Sequence, residues 1–179
     1  MKRICLYGAS SSTLAEEYYA AAYTIGEGLA VSGIGLVFGG GATGLMGAAA
    51  RGADSKGGEI IGVAPKFFDE EGVLYQNCTE FIFTETMRER KQTMEDLADG
   101  FIVSPGGIGT LEEFFEIFTL RQLARHDKKI FLLNTHGYYN QLIDFLKHMV
   151  EEGFMARQCL DLISIHDTPS SLIDEIRQL

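Results

Sequence analysis

Positive charge is scarce in this chain: 15 lysines and arginines stand against 25 aspartates and glutamates, a formal charge of −10. A sequence-independent grip on nucleic acid or on anionic lipid needs a basic face. Neither partner is expected, and any phosphate has to be held locally. Cysteine is equally sparse. Cys5, Cys78 and Cys159 are odd in number, far apart and without a Cys-x-x-Cys, so no disulfide framework or zinc site is suggested. His126, His136, His148 and His166 show no metal-ligand spacing either, and no metal is expected. Long apolar runs are missing too. None approaches membrane-spanning length, and "MKRICLYGAS" at the start offers a four-residue apolar run, too short for the core of a signal peptide. The expectation is a cytoplasmic protein in a reducing compartment.

What the chain does have is enough apolar material for one core: 179 residues, 46% of them hydrophobic, read as a single domain spanning 1–179. Short apolar runs recur: "RICLYG", "GLVFGG", "EIIGVA", "EFIFTE", "GFIVSP", "KIFLLN" and "DLISIH". Helical patterns separate most of them, over 13–31, 43–56, 86–98, 110–125, 138–152 and 169–178. Such alternation implies parallel strands joined by crossover helices. The fold class is therefore α/β: a doubly wound, Rossmann-like parallel sheet of about seven strands with helices on both faces.

Ligands of such sheets bind beyond the carboxyl ends of the strands, near the point where strand order reverses. Three loops are placed for this, "YGASSST", "FGGGATGLMG" and "SPGGIGT", each running from a strand into a helix. Glycine lets backbone approach a ligand closely, and a helix N-terminus offers free N–H groups to an anion. Any one such loop reads equally well as tight packing; three together suggest a phosphorylated ligand. Gly39, Gly41 and Gly44 also satisfy G-x-G-x-x-G, with Glu59 at the distance expected of a ribose-binding acid. That acid should stand at the carboxyl end of its strand, whereas Glu59 opens one, so a nicotinamide oxidoreductase is disfavoured.

Two charged segments carry the chemistry. In "SPGGIGTLEEFFEIF" the spacing of Thr110 and Glu113 is that of a capping box on a helix starting at Thr110. In "TETMRERKQTMEDLAD" Arg88, Arg90 and Lys91 fall in the first turns of a helix, where the dipole disfavours cations. A bound phosphate would account for them; a solvated face is the alternative.

"MRERK" followed by "PGGIGTLEE" resembles the paired signature of the Lonely Guy (LOG) family, the cytokinin riboside 5′-monophosphate phosphoribohydrolases once labelled lysine decarboxylases. "GGGATGLMG", "IGVAPK", "HDKK", "LLN" and "GYYNQL" follow the same pattern in order, over nearly the whole chain. The resemblance implies release of a nucleobase from a nucleoside 5′-monophosphate, giving ribose 5-phosphate, with Arg90 and Glu113 as catalytic residues and no cofactor. It implies a phosphate-binding turn at Pro105, Gly106, Gly107, Gly109 and Thr110, with Lys91 and Thr119 nearby. Gly40, Gly41, Thr43 and Gly44 of the glycine loop, and Met87 and Arg88 before the catalytic arginine, complete the implied site. It also implies a homodimer, and "FFEIF" has too many aromatics for a solvent face. Two departures stand out. Arg88 replaces the histidine of the usual "MHxRK", and an acid that precedes this helix in the family has only Glu70 or Glu71 as counterparts.

These residue types suit that chemistry. Breaking an N-glycosidic bond develops positive charge on the ribose, which a carboxylate can stabilise or attack through water. Arginine keeps its proton in proteins, so Arg90 orients oxygens and does not supply a proton to the departing base. No Schiff-base lysine and ring-nitrogen partner are apparent for pyridoxal phosphate, so the decarboxylase label lacks support. The alternative is a non-catalytic carrier of a phosphorylated ligand, like the molybdenum cofactor carriers. Such a carrier needs phosphate grips but no carboxylate at a glycosidic carbon.

Overall fold

The computed structural model describes residues 1–179. The elements run β1 (Arg3–Tyr7), α1 (Glu16–Val31), β2 (Gly35–Phe38), α2 (Gly44–Asp54), β3 (Ile60–Pro65), β4 (Glu80–Thr84), α3 (Met87–Leu97) and β5 (Gly100–Val103). They continue with α4 (Ile108–Gln122), β6 (Lys129–Leu133), α5 (Asn140–Glu151), β7 (Ile163–His166) and α6 (Pro169–Ile176). All seven expected strands and all six expected helices are present, with ends shifted by a few residues. No helix is long and apolar enough to cross a membrane.

The strands pair in parallel throughout, in the order β4-β3-β2-β1-β5-β6-β7. The chain walks from β1 to β4 on one side, then returns to place β5 against the other edge of β1. Strand order therefore reverses between β1 and β5, and the loops leaving these strands face each other there.

Alternate side chains build two cores, as the twofold periodicity of a strand requires. Ile4 and Leu6 point to a cluster with Ile25, Ala49 and Leu172 of α1, α2 and α6. Cys5 and Tyr7 point to a cluster with Met94, Phe114 and Leu146 of α3, α4 and α5. Burial on both faces is why the strands read as continuous apolar runs instead of alternating ones.

α1 and α2 touch through glycine on each side. A Cβ at Gly26 would lie 1.9 Å from the Ala49 carbonyl oxygen, and one at Gly52 would lie 2.1 Å from that of Tyr23. Because the obstacle is backbone, neither clash can be relieved by a side-chain rotation. Gly26→Ala is expected to destabilise the fold by about 2–3 kcal/mol, the upper part of the usual overpacking range. Chemical denaturation checks this, with Gly109→Ala as a control for substituting a glycine that has open space around it and no positive φ.

Candidate active site

The loops at the reversal point are stitched together. The Ala9 N–H donates to the Pro105 carbonyl at 3.1 Å, and the Leu45 N–H donates to the Ala9 carbonyl at 2.8 Å. Thr43 Oγ1 donates to the Ser10 carbonyl at 2.9 Å. The three glycine-rich loops therefore meet at one end of the sheet. Glu59 lies at the other end, where it forms a two-pronged pair with Arg3 at 2.8 and 2.9 Å. It is structural there and far from any ribose-binding position.

The helix that carries Glu113 begins earlier than its sequence suggests. α4 starts at Ile108 with Gly107 as its cap residue and no side-chain cap. Thr110 is its third residue, buried, and packed so closely on Gly106 that a Cβ there would meet its Oγ1 at 2.1 Å. It cannot cap, so the expected Thr110–Glu113 capping box does not form. The N–H groups of the first turn are left without side-chain acceptors, a geometry that suits an anion. The capping box occurs instead on α3, where Thr86 Oγ1 accepts from the Glu89 N–H at 3.2 Å and Glu89 Oε2 accepts from the Thr86 N–H at 3.3 Å.

Glu113 is engaged elsewhere. Arg90, on the first turn of α3, donates from Nη1 to Glu113 Oε1 at 2.9 Å and from Nε to the Val63 carbonyl at 3.2 Å. The two side chains are only 7% and 12% exposed. Room for the guanidinium exists because residue 39 has no side chain: a Cβ there would sit 1.9 Å from Nη2. Burial pushes the Glu113 carboxyl above the usual carboxylate range, against the opposing pull of the Arg90 charge. Below it, burial likewise raises the Cys5 thiol and the Tyr7 phenol, to which the Glu113 charge adds. A low-dielectric floor of this kind strengthens every charge interaction above it.

The cations at the head of α3 also find partners inside the chain. Lys91 pairs with Glu112 and, at 2.6 Å, with Glu116 of α4. An external phosphate is thus not needed to explain Arg90 and Lys91; carboxylates of α4 offset the unfavourable dipole. Arg88 differs from both in being exposed and without a hydrogen-bond or ion-pair partner.

A cleft of about 450 Å³ opens over the pair. Arg90, Glu113, Met87, Gly107, Gly109 and Thr110 all line it, so much of the expected constellation is brought together. Gly106 and Pro105 lie just behind, in the turn that leads into α4. Gly40 and Gly41 do not line the cleft. They are tied to the 73–75 segment, through the Tyr75 N–H to the Gly40 carbonyl at 2.9 Å and a bridge from Gly41 to Leu74. Thr43 and Gly44 join the loops from behind, and Thr119 is exposed farther along α4. Met46, Phe68, Glu112 and the Gly8–Ser11 loop also line the cleft. The loop carries a glycine signal in the sequence; Phe68 has none, because no motif marks the short 3-10 turn Lys66–Phe68 that carries it. Gly39 is recognisable only through the side chain it accommodates.

A family model described as "Possible lysine decarboxylase" matches residues 46–176. The cytokinin riboside 5′-monophosphate phosphoribohydrolase LOG4 of Arabidopsis thaliana is 38% identical over 176 residues, spanning 98% of this chain and 82% of that protein. A protein of Oryza sativa subsp. japonica named probable cytokinin riboside 5′-monophosphate phosphoribohydrolase LOGL2 is 37% identical over 177 residues, spanning 99% and 72%. Among solved structures, the molybdenum cofactor binding protein of Rippkaea orientalis superposes with a TM-score of 0.75 over 99% of this chain and 97% of its own, at 22% identity. At that identity the likeness is one of fold. With the family model matched over most of the chain and relatives more than a third identical along nearly all of it, this chain belongs to the LOG family.

Proposed function

We propose that the protein is an enzyme that hydrolyses the N-glycosidic bond of nucleoside 5′-monophosphates, including AMP and its N6-substituted cytokinin forms, to free base and ribose 5-phosphate. The observation that carries this reading is the buried Arg90–Glu113 pair beside the uncapped N-terminus of α4, in a chain whose relatives bear the names of such enzymes. The phosphate rests on the first-turn amides at Gly107 to Thr110. The ribose then lies over the pair, with the Glu113 carboxylate facing the positive charge that develops as the bond breaks, or activating water beside it. Arg90 holds that carboxylate in direction and offers its remaining N–H groups to sugar or phosphate oxygens. Met87 and Phe68 border the space left for the base. A carrier of a phosphorylated ligand would use the same amides but has no use for a buried carboxylate pointed at a sugar. Lysine decarboxylation fits poorly, since no lysine lines the cleft and Lys91 is committed to Glu112 and Glu116.

The site residues have unequal roles in this reading. Arg90 and Glu113 do the chemistry, Thr110 and the glycines 106, 107 and 109 shape the anion turn, and Lys91 braces α3 against α4. The acidic, cysteine-poor composition fits a reducing cytoplasm. Ile108 and Leu123 are 84% and 62% exposed at the two ends of α4, with half-buried Phe115 between them. An apolar helix face of this kind supports pairing of two copies through α4. Light scattering on the purified protein should return twice the chain mass, and Leu123→Glu should shift it towards monomer. A wild-type monomer at micromolar concentration removes this part of the reading.

The central test replaces Glu113 by glutamine. Glutamine keeps an oxygen for Arg90 but no charge, so turnover on AMP should fall at least about a hundredfold, the scale of lost acid–base participation. Folding should survive. A carboxyl whose folded pKa is raised stabilises the fold below its unfolded pKa, and that contribution is lost as pH rises through the folded value. Glu113→Gln removes a charge that burial disfavours but also the counter-ion of the buried Arg90, so its stability at pH 7 should lie between that of wild type and that of Arg90→Ala. Full activity in the folded variant would make Glu113 structural.

The arginines should separate cleanly. Arg90→Ala leaves a buried carboxylate without its partner, a change that typically costs about 3–5 kcal/mol, and activity on AMP should nearly vanish. Arg90→Lys should rescue poorly for want of the planar fork. Arg88→His, at an exposed position without partners, should keep kcat within about twofold. Steady-state kinetics and thermal melts on the three variants decide: an active Arg90→Ala beside a dead Arg88→His reverses the assignment.

A further inference from the structure

The "LLN" and "GYYNQL" segments supply no residue to the chemistry proposed above, yet the structure ties both to the turn that would hold the phosphate. Between β5 and α4 three successive carbonyls, outside any strand or helix, are each claimed. Ser104 O accepts from the Tyr139 hydroxyl at 2.7 Å, Pro105 O from the Ala9 N–H at 3.1 Å, and Gly106 O from the Tyr138 hydroxyl at 2.7 Å. The N–H groups of residues 107–110 have no acceptor within the chain.

We propose that Tyr138 and Tyr139 are positioning residues: from the start of α5 they pin the carbonyls of the 104–106 turn, and so aim the following amides at the phosphate of the substrate. A trans peptide is planar, with its N–H opposed to its C=O. Fixing Gly106 O on the α5 side therefore turns the Gly107 N–H to the other side; Ser104 O is followed by Pro105, which has no N–H, so Tyr139 fixes the position of the turn and Tyr138 the direction of the amide. The proposal rests on the reading of this turn as the phosphate site.

The tyrosines are themselves held. Asn134, at the end of β6 and buried, accepts from the Tyr139 N–H at 2.8 Å and donates to Asn140 at 2.9 Å and to Asp167 at 3.0 Å. Between Asn134 and Tyr138 the chain takes positive φ at His136 (54°) and Gly137 (69°), an unfavourable conformation for histidine that tertiary contacts maintain. The end of β7 thus steadies β6, β6 presents the tyrosines, and these fix the turn after β5. Burial raises the Tyr139 phenol well above its ordinary value, so it stays a donor.

Tyr138→Phe and Tyr139→Phe test this, each keeping the ring and removing only the hydroxyl. Tyr138 is 46% exposed, so its variant should fold with an unchanged melting temperature. In both variants KM for AMP should rise about three- to tenfold, the range for losing one neutral hydrogen bond, with kcat within about twofold. Amide hydrogen exchange at Ala9 and Leu111, whose N–H groups donate to the Pro105 and Gly107 carbonyls of the turn, should quicken in the ligand-free protein, while exchange in α1 and α2 should not. Unchanged exchange overturns the clamp. Faster exchange with unchanged KM overturns its link to the phosphate, as does a fall confined to kcat. Calorimetric titration with inorganic phosphate keeps the two readings apart. If wild type proves inactive on AMP, weaker phosphate binding by Tyr138→Phe still supports the clamp, and equal binding sinks it.

Discussion

The pairing of Arg90 with Glu113 is the constraint around which this end of the molecule is arranged. Two charges taken out of water are tolerable only when matched in geometry and supplied with further hydrogen bonds. Here the match is a 2.9 Å contact, and the additional partner is the Val63 carbonyl towards the carboxyl end of β3. Satisfying it brings α3 and α4 side by side, forces residue 39 to be glycine, and sets Lys91 against Glu112 and Glu116 on the next turns. The uncapped start of α4 is then fixed in space relative to a carboxylate. Neither a helix N-terminus nor a buried acid alone would make the site proposed above; that reading rests on their fixed separation.

How much of this was legible in the sequence depended on how local the signal was. Strands buried on both faces announce themselves as short apolar runs, and the part-exposed edge strands β4 and β7 do so as well, so all seven are visible in the sequence. The start of α4 is masked in the sequence because Thr110 and Glu113 carry the spacing of a capping box, while the turn before them lets the helix begin at Ile108. The true capping box at Thr86 and Glu89 was present in the sequence too, but the charge cluster beside it drew the interpretation towards an external anion. Pairing between α3 and α4 is non-local, and no spacing within "MRERK" reveals that Lys91 faces Glu112 and Glu116. Gly39 is another such case. Its neighbours in "GGGATG" looked like ligand contacts, whereas the structure uses Gly40 and Gly41 to anchor the 73–75 segment.

The fold also separates what bears load from what bears chemistry. The Gly26 and Gly52 contacts lock α1 to α2, so the loops entering these helices are carried on one rigid unit. Arg3 and Glu59 brace the sheet at the end away from the cleft. The same glycine-rich loops that suggest a dinucleotide fingerprint thereby serve a different arrangement, in which the proposed anion site belongs to the loop after β5.

The apolar side chains at the cleft mouth are differently placed from the charged pair beneath them. Phe68 and Met87 are 40% and 39% exposed, whereas Arg90 is buried. Exchanging a side chain at an exposed position costs little stability, and neither residue is needed to hold the ion pair or the turn. On the reading proposed above, exchanges at the rim can change which base is accepted while the ion pair beneath stays intact. Paralogues that diverge in nucleobase taste should differ first at these two positions and last at the arginine and glutamate they overlook.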